Sequence, residues 1–180
     1  MKKYLSSLDL VLPQNETLVK LYENFYGLKN VKLINNFRDS KIHETKSFSK
    51  EGLKLIFISR VSEDKGILDL IKCVKELIKE GLDITLDIYG EMQLFGDNLD
   101  SFNASLNEKI KYKNTVAPSG VSETISQYDL FVLPTKYYGE GSPGSLIESY
   151  FSLTPSLISN YSQASIQVSH MEDGLIHNFK

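Results

Sequence analysis

Leu53-Lys54-Leu55-Ile56-Phe57-Ile58, running into Ser59-Arg60-Val61-Ser62-Glu63-Asp64-Lys65-Gly66, is the stretch that decides the fold. Its first half is a near-continuous apolar run, the pattern of a strand covered on both faces of a parallel sheet. Its second half is a charged loop opening onto a helix. Over 66–80, Ile67, Leu70, Ile71, Val74, Leu77 and Ile78 form one stripe at helical period, and Gly81 closes it. Residues 84–89 predict the next strand, ended by Gly90. The alternation then continues: a helix within 99–110, a short strand around 115–117, a helix over 123–128 capped by Ser122, a strand over 130–133 stopped by Pro134, a helix over 144–151 and a strand over 156–159. Strands alternating with helices predict an α/β fold with a doubly wound, Rossmann-like parallel sheet. Ligands of such sheets bind at the carboxyl ends of the strands, which points to the loops after Ile58, Tyr89 and Leu133.

Upstream, residues 8–12 read as a strand stopped by Pro13, 17–26 as a helix ended by Gly27, and 31–34 as a second strand. The polar stretch 39–52 reads as a linker, dividing the chain into a small β-α-β piece (1–38), the linker, and a main domain (53–180). A length of 180 residues holds one full domain and a fragment, not two full α/β domains. With 41% hydrophobic and 24% charged residues the composition is that of an ordinary globular protein. A net charge of −3 and no basic run leave no footprint for nucleic acid or for an anionic membrane. The single cysteine, Cys73, excludes an intrachain disulfide and a cysteine zinc cluster. It fits a reducing cytoplasm and reads as a small inert hydrophobe beside its helix's buried stripe. No apolar run approaches the roughly 18 residues of a membrane span, and Met1-Lys2-Lys3 leads into no signal-peptide core. The serine-rich stretch 149–169 reads as solvated loop with no nucleophile site.

Two loops carry candidate chemistry. In the loop after Ile58, Arg60 and Lys65 place two cations beside a helix N-terminus, good chemistry for a pyrophosphate. Arg60 can fork two phosphate oxygens and Lys65 supplies a mobile point charge. The competing reading is a solvated turn in which both pair with Glu63 and Asp64. In the second loop, Gly139-Glu140-Gly141-Ser142-Pro143-Gly144-Ser145-Leu146-Ile147-Glu148, two carboxylates flank a turn of small residues. They could accept hydrogen bonds from the hydroxyls of a sugar and of a ribose. The bland alternative has Glu140 capping a turn and Glu148 on a solvated helix face. Gly139-x-Gly141-x-x-Gly144 also matches the dinucleotide-binding fingerprint, but five residues separate it from its strand and no acidic residue follows at the required distance. Tyr137 and Tyr138 offer rings for a base, a sugar or simple packing.

Taken together, Arg60 and Lys65-Gly66 after the first strand and Glu140-x7-Glu148 in the form Glu-Gly-x-Pro-x-x-Leu-x-Glu resemble the donor domain of the retaining family 4 (group 1) glycosyltransferases of the GT-B fold. Asp87-Ile88-Tyr89-Gly90-Glu91, the Gly120-Val121-Ser122 turn and Asp129-Leu130-Phe131-Val132-Leu133-Pro134 fall where that family has its intermediate motifs. The resemblance runs over about 7–176. It implies that Arg60 and Lys65 hold the diphosphate of a UDP- or GDP-linked sugar, that Glu140 contacts the transferred sugar as the candidate catalytic residue, and that Glu148 contacts the ribose. Gly141, Ser142, Pro143, Gly144, Ser145 and Leu146 complete the donor site. It implies no cofactor and no metal. The product would be cell-surface polysaccharide, made in the cytoplasm or at the inner face of the membrane. Ser59 departs from the family's usual glycine, and Ser142 and Thr154 replace commoner residues. Residues 1–38 resemble only the end of the family's N-terminal domain, so a glycan or lipid-linked acceptor would need that domain from elsewhere. The 1–38 segment would otherwise invite self-association, and the family's last helices are also lacking. His43, His170 and His177 do not match the family's catalytic histidine and are expected at the surface. Two other readings share these residues: a non-catalytic nucleotide-sugar-binding domain, and half of a sugar-nucleotide epimerase.

Overall fold

Near the N-terminus the backbone pairs only briefly. In the computed structural model, which describes residues 2–39, 42–137 and 139–178, α1 (Lys2–Leu5) leads to Val11, which bridges Val31 in parallel. Between them α2 (Glu16–Lys20) starts at Asn15, whose side chain accepts from the Leu18 amide at 2.8 Å, and runs into a π-helical turn, Leu21–Phe25. The two strands expected here thus reduce to one bridge, flanked by a bond from the Ile34 amide to the Pro13 carbonyl. Val11 and Leu28 are buried, but Leu8, Leu10, Leu12, Leu21, Phe25, Ile34 and Phe37 are 41–73% exposed.

The main domain is the predicted sheet. β1 (Leu53–Ile58), β2 (Ile84–Tyr89), β3 (Ile110–Tyr112), β4 (Leu130–Leu133), β5 (Ser156–Ser159) and β6 (Gly174–His177) lie in the order β3-β2-β1-β4-β5-β6, every pair parallel. Alternation along β1 sends Leu55 and Phe57 to one core and Ile56 and Ile58 to the other. The first core is closed by α3 (Ile67–Lys79) through Ile67, Leu70 and Val74, together with Phe102 of α4 (Gly96–Asn103). The second is closed by Ile125 of α5 (Val121–Ser126), Leu146 of α6 (Gly144–Phe151) and Ala164 of α7 (Ala164–Gln167). Among the described residues no helix is long and apolar enough to cross a membrane.

Several local expectations are corrected. α4 ends at Asn103, and the strand falls at 110–112 instead of 115–117. The Asn107 side chain accepts from the amides of Lys109 and Ile110, turning the chain directly into β3. Ser122 is not the cap of α5. Gly120 holds that position, and Ser122 is buried within the first turn. Cys73 is exposed, because it sits just outside the stripe that faces the sheet. The serine-rich stretch is not solvated: Ser149, Ser152, Ser156 and Ser159 are buried, with Ser149 and Ser152 donating back to helix carbonyls. His43 is only partly exposed, its ring Nε2 3.7 Å from Glu123, whereas His170 and His177 are exposed as expected.

The polar stretch before β1 is docked to the domain. Lys46 Nζ donates to the carbonyls of Ser126 and Tyr128 and, at 2.8 Å, to Thr154 Oγ1. Burial lowers its pKa against the opposing pull of Asp129. The Asp129 carboxylate itself accepts from the amides of Ser49 (2.6 Å) and Lys54 (2.8 Å).

The strand ends approach one another closely enough to require glycine. Gly66 (φ +74°) faces the Pro134 carbonyl and Gly90 (φ +141°) faces that of Ser59, and a Cβ at either would overlap the opposing backbone. Gly90→Ala is therefore expected to destabilise the domain by about 3 kcal/mol, combining left-handed strain with overpacking, as read from the denaturant midpoint.

Candidate functional site

The chain leaves β1 through α3 to build outward on one side, then returns to β4 on the other. That reversal opens a crevice at the carboxyl ends of β1 and β4. A cavity of about 360 Å³ lies there, lined among others by Ser59, Gly90, Thr115, Val116, Gly144, Ser145 and Glu148. Behind this lining, the Tyr112 hydroxyl donates to the Gly90 carbonyl at 2.9 Å. Tyr128 donates to Asp87 at 2.7 Å and lies 3.0 Å from the Tyr89 hydroxyl. Burial, then hydrogen bonding to Tyr89 and Asp87, holds the Tyr128 phenol far above its ordinary pKa, so it remains a neutral donor.

Of the sequence-predicted residues, Gly144, Ser145 and Glu148 meet in this cavity. Pro143, with extended backbone, precedes α6, and Glu148 follows one turn in with its side chain only 4% exposed. That is the opposite of a solvated helix position. Leu146 points into the core and does not line the cavity.

Lys65 and Glu140 meet in a second group. Lys65 does not pair with Glu63 or Asp64. It ion-pairs with Glu140, and both side chains are nearly buried. The Thr135 hydroxyl lies 3.1 Å from the same carboxylate oxygen and 3.2 Å from the Asp64 carbonyl. Arg60 stands apart: more than half exposed, it is 3.5 Å from Asp64 and 3.4 Å from Gln93, so the solvated-turn reading holds for it locally. Tyr137 is exposed, and Tyr138 lies outside the described residues.

The glutamate loop is braced by residues with no sequence signature. Gln167 donates to the Gly141 carbonyl at 3.1 Å and accepts from Tyr161 at 2.7 Å. Burial and the nearby Glu140 charge raise the Tyr161 pKa and keep it a donor. Asn36 donates to the Ser142 carbonyl at 2.7 Å, and Gln163 to Thr17 at 3.0 Å, tying the N-terminal segment to this edge. Arg38 also reaches the cavity, its Nε 3.8 Å from Glu148. One cue was available: Arg38 and Arg60 are the chain's two arginines. Among the described residues no three His, Cys, Asp or Glu side chains cluster as metal ligands would.

Residues 52–179 match the family described as "Glycosyl transferases group 1", and the chain belongs to that family. Its Rossmann-like fold matches part of solved glycosyltransferases of the GT-B type. The chain is 23% identical to a point mutant of Staphylococcus aureus TarM in complex with fondaparinux, α-GlcNAc-glycerol and UDP, over 98% of this chain and 36% of that one (TM-score 0.78). To the pneumococcal O-GlcNAc transferase GtfA in complex with UDP and GlcNAc it is 20% identical, over 99% and 36% (TM-score 0.78). To Anabaena HepE in complex with UDP-glucose it is 16% identical, over 98% and 52% (TM-score 0.75). The chain thus spans between about a third and a half of these relatives' lengths. No curated protein sequence matches it.

Removing one partner of a buried ion pair leaves the other charge desolvated. Lys65→Met is expected to destabilise the domain by about 3–5 kcal/mol. Adding Glu140→Leu should recover most of that loss in urea unfolding. An additive double variant would mean that the pair contributes nothing as a pair.

Proposed function

We propose that this chain binds a UDP- or GDP-linked sugar as the donor half of a glycosyltransferase that transfers the sugar with retention to a glycan or lipid-linked acceptor. The observation that carries the reading is Glu148: a buried carboxylate facing a cavity beside the first turn of α6, at the reversal of the sheet. A carboxylate there accepts from vicinal ribose hydroxyls, while the free amides at the helix start favour phosphate. From the loop after β1, outside the lining of the cavity, Lys65 and Arg60 offset the charge of the leaving diphosphate at longer range, and Glu140, held by Lys65, takes the sugar hydroxyls. Gly141, Ser142, Pro143, Ser145 and Leu146 shape the loop that carries them. The donor is a substrate, and the chemistry asks for no cofactor. The family relation and relatives bound to UDP support this reading.

Residues 53–180 are the donor domain in this proposal, 39–52 the connection and 1–38 the edge of the acceptor domain. The exposed Leu8, Leu10, Leu12 and Phe25 are the face that domain would cover, and a second copy is the alternative cover. Synthesis of cell-surface polysaccharide on the cytoplasmic side of the membrane is the role it fits.

Titration of the purified chain with UDP, GDP and ADP is the test, and one of them should bind. Arg60→Ala, at an exposed position, should weaken that nucleotide by about 1.5–3 kcal/mol, as for hydrogen bonds to charged groups. Glu148→Gln should weaken the nucleotide and its sugar conjugate alike, and Glu140→Gln mainly the conjugate. Equal losses for both ligands in both variants would contradict the division of roles. Binding that survives intact in the Glu148 variant would remove the site.

A GT-B active site lies between two domains, where closure positions the acceptor and excludes water. The chain alone is accordingly expected to transfer no sugar from labelled donor to lipid-linked acceptor, and to gain turnover when an N-terminal domain is added. Turnover by a monomer confirmed by light scattering would contradict the proposal.

A further inference from the structure

We propose that Arg38 is a donor-binding residue that gives up Glu148 and takes the donor's diphosphate when the site fills, an inference that rests on the cavity being the nucleotide site. Among the described residues lining the cavity, Arg38 is the one basic side chain, and neither Arg60 nor Lys65 lines it. Its guanidinium lies directly on Gly144, the first residue of α6: a Cβ there would fall inside it. The cation therefore occupies the place at the helix's amide end that a phosphate would favour.

The guanidinium is held from behind. Arg38 Nη1 donates to Asn36 Oδ1 at 2.9 Å and to the Phe37 carbonyl at 2.8 Å, and Asn36 in turn holds the Ser142 carbonyl. Toward the cavity its Nε is 3.8 Å from Glu148, too long for a good hydrogen bond, and its side chain keeps 39% of its exposure. A cation tethered to its own neighbouring residues, with a loose forward contact, is poised to exchange partners. Its charge compensates the buried Glu148 carboxylate. Once ribose hydroxyls donate to Glu148, that need lapses, and the fork can engage two phosphate oxygens instead. Because Arg38 belongs to the N-terminal segment, the exchange would also pull that segment onto the loaded donor.

The test compares wild type, Arg38→Ala and Arg38→Lys, each checked for folding by circular dichroism. UDP is titrated by calorimetry and uridine by ligand-observed NMR, or GDP and guanosine if those bind. Arg38→Ala is expected to lose about tenfold or more in affinity for the diphosphate, in keeping with one charge-assisted contact. Uridine binding should stay the same or tighten, and Arg38→Lys should recover part of the diphosphate loss. A change by the same factor for nucleoside and diphosphate, in either direction, would make Arg38 a plug or a structural residue and overturn the inference. Unchanged UDP affinity in Arg38→Ala would overturn it alone and leave the nucleotide site standing. A wild-type chain that binds no nucleoside diphosphate would overturn both.

Discussion

Lys65 reaches across from the loop after β1 to Glu140 in the loop after β4, and the arrangement of the strand ends depends on that contact. Two charges taken out of water are stable only with good geometry and further hydrogen bonds, which Thr135 supplies on the carboxylate side. The backbones beneath must then lie close, and they do: Gly66 presses on Pro134, and the Lys136 amide donates to the Asp64 carbonyl at 2.8 Å. Fixing these two loops against each other fixes the start of α6 beside them. The position of α6 places Glu148 in the cavity. A shift in the Lys65–Glu140 pair would therefore be felt along the whole edge.

The N-terminal segment has two faces of opposite character. Toward the main domain it contributes polar contacts, through Asn36 to the glutamate loop, Arg38 to Glu148 and Thr17 to Gln163. Away from it, Leu8, Leu10, Leu12 and Phe25 stand in solvent. The stretch before β1 holds firmly to the domain, because Lys46 threads between α5 and Thr154 while Asp129 clasps the incoming backbone. A segment anchored by polar contacts, with its apolar side unspent, is suited to link what happens in the cavity to whatever covers that side.

How much of this was legible in the sequence varied with the physics involved. The sheet was readable because β1 buries both faces and so reads as a continuous apolar run, while α3 buries one stripe at helical period. Glu140 and Glu148 stood out as candidates because carboxylates in and just after a glycine-rich loop at a strand's end are unusual, and of the two only Glu148 lines the cavity. The Lys65–Glu140 pairing was not, since Glu63 and Asp64 are nearer in sequence and only the fold chooses among the three. Arg38 was missed because nothing in 36–38 sets it apart locally. Its site arises from a contact about a hundred residues long, between 38 and 148. The strand at 110–112 was displaced to 115–117 because Thr115-Val116-Ala117 is the more apolar run, while a side-chain turn at Asn107 set the true register.

The central claim is that a nucleotide sugar binds at the carboxyl ends of β1, β2 and β4. Backbone amide shifts of the ¹⁵N-labelled chain during titration with UDP-sugar test it most directly. The account predicts that the largest shifts fall on Ser59, Gly90, Thr115, Gly144, Ser145 and Glu148, with Asn36 and Arg38 following. Shifts confined instead to the apolar hollow of about 310 Å³ around Cys73, Leu157 and His177 would contradict it.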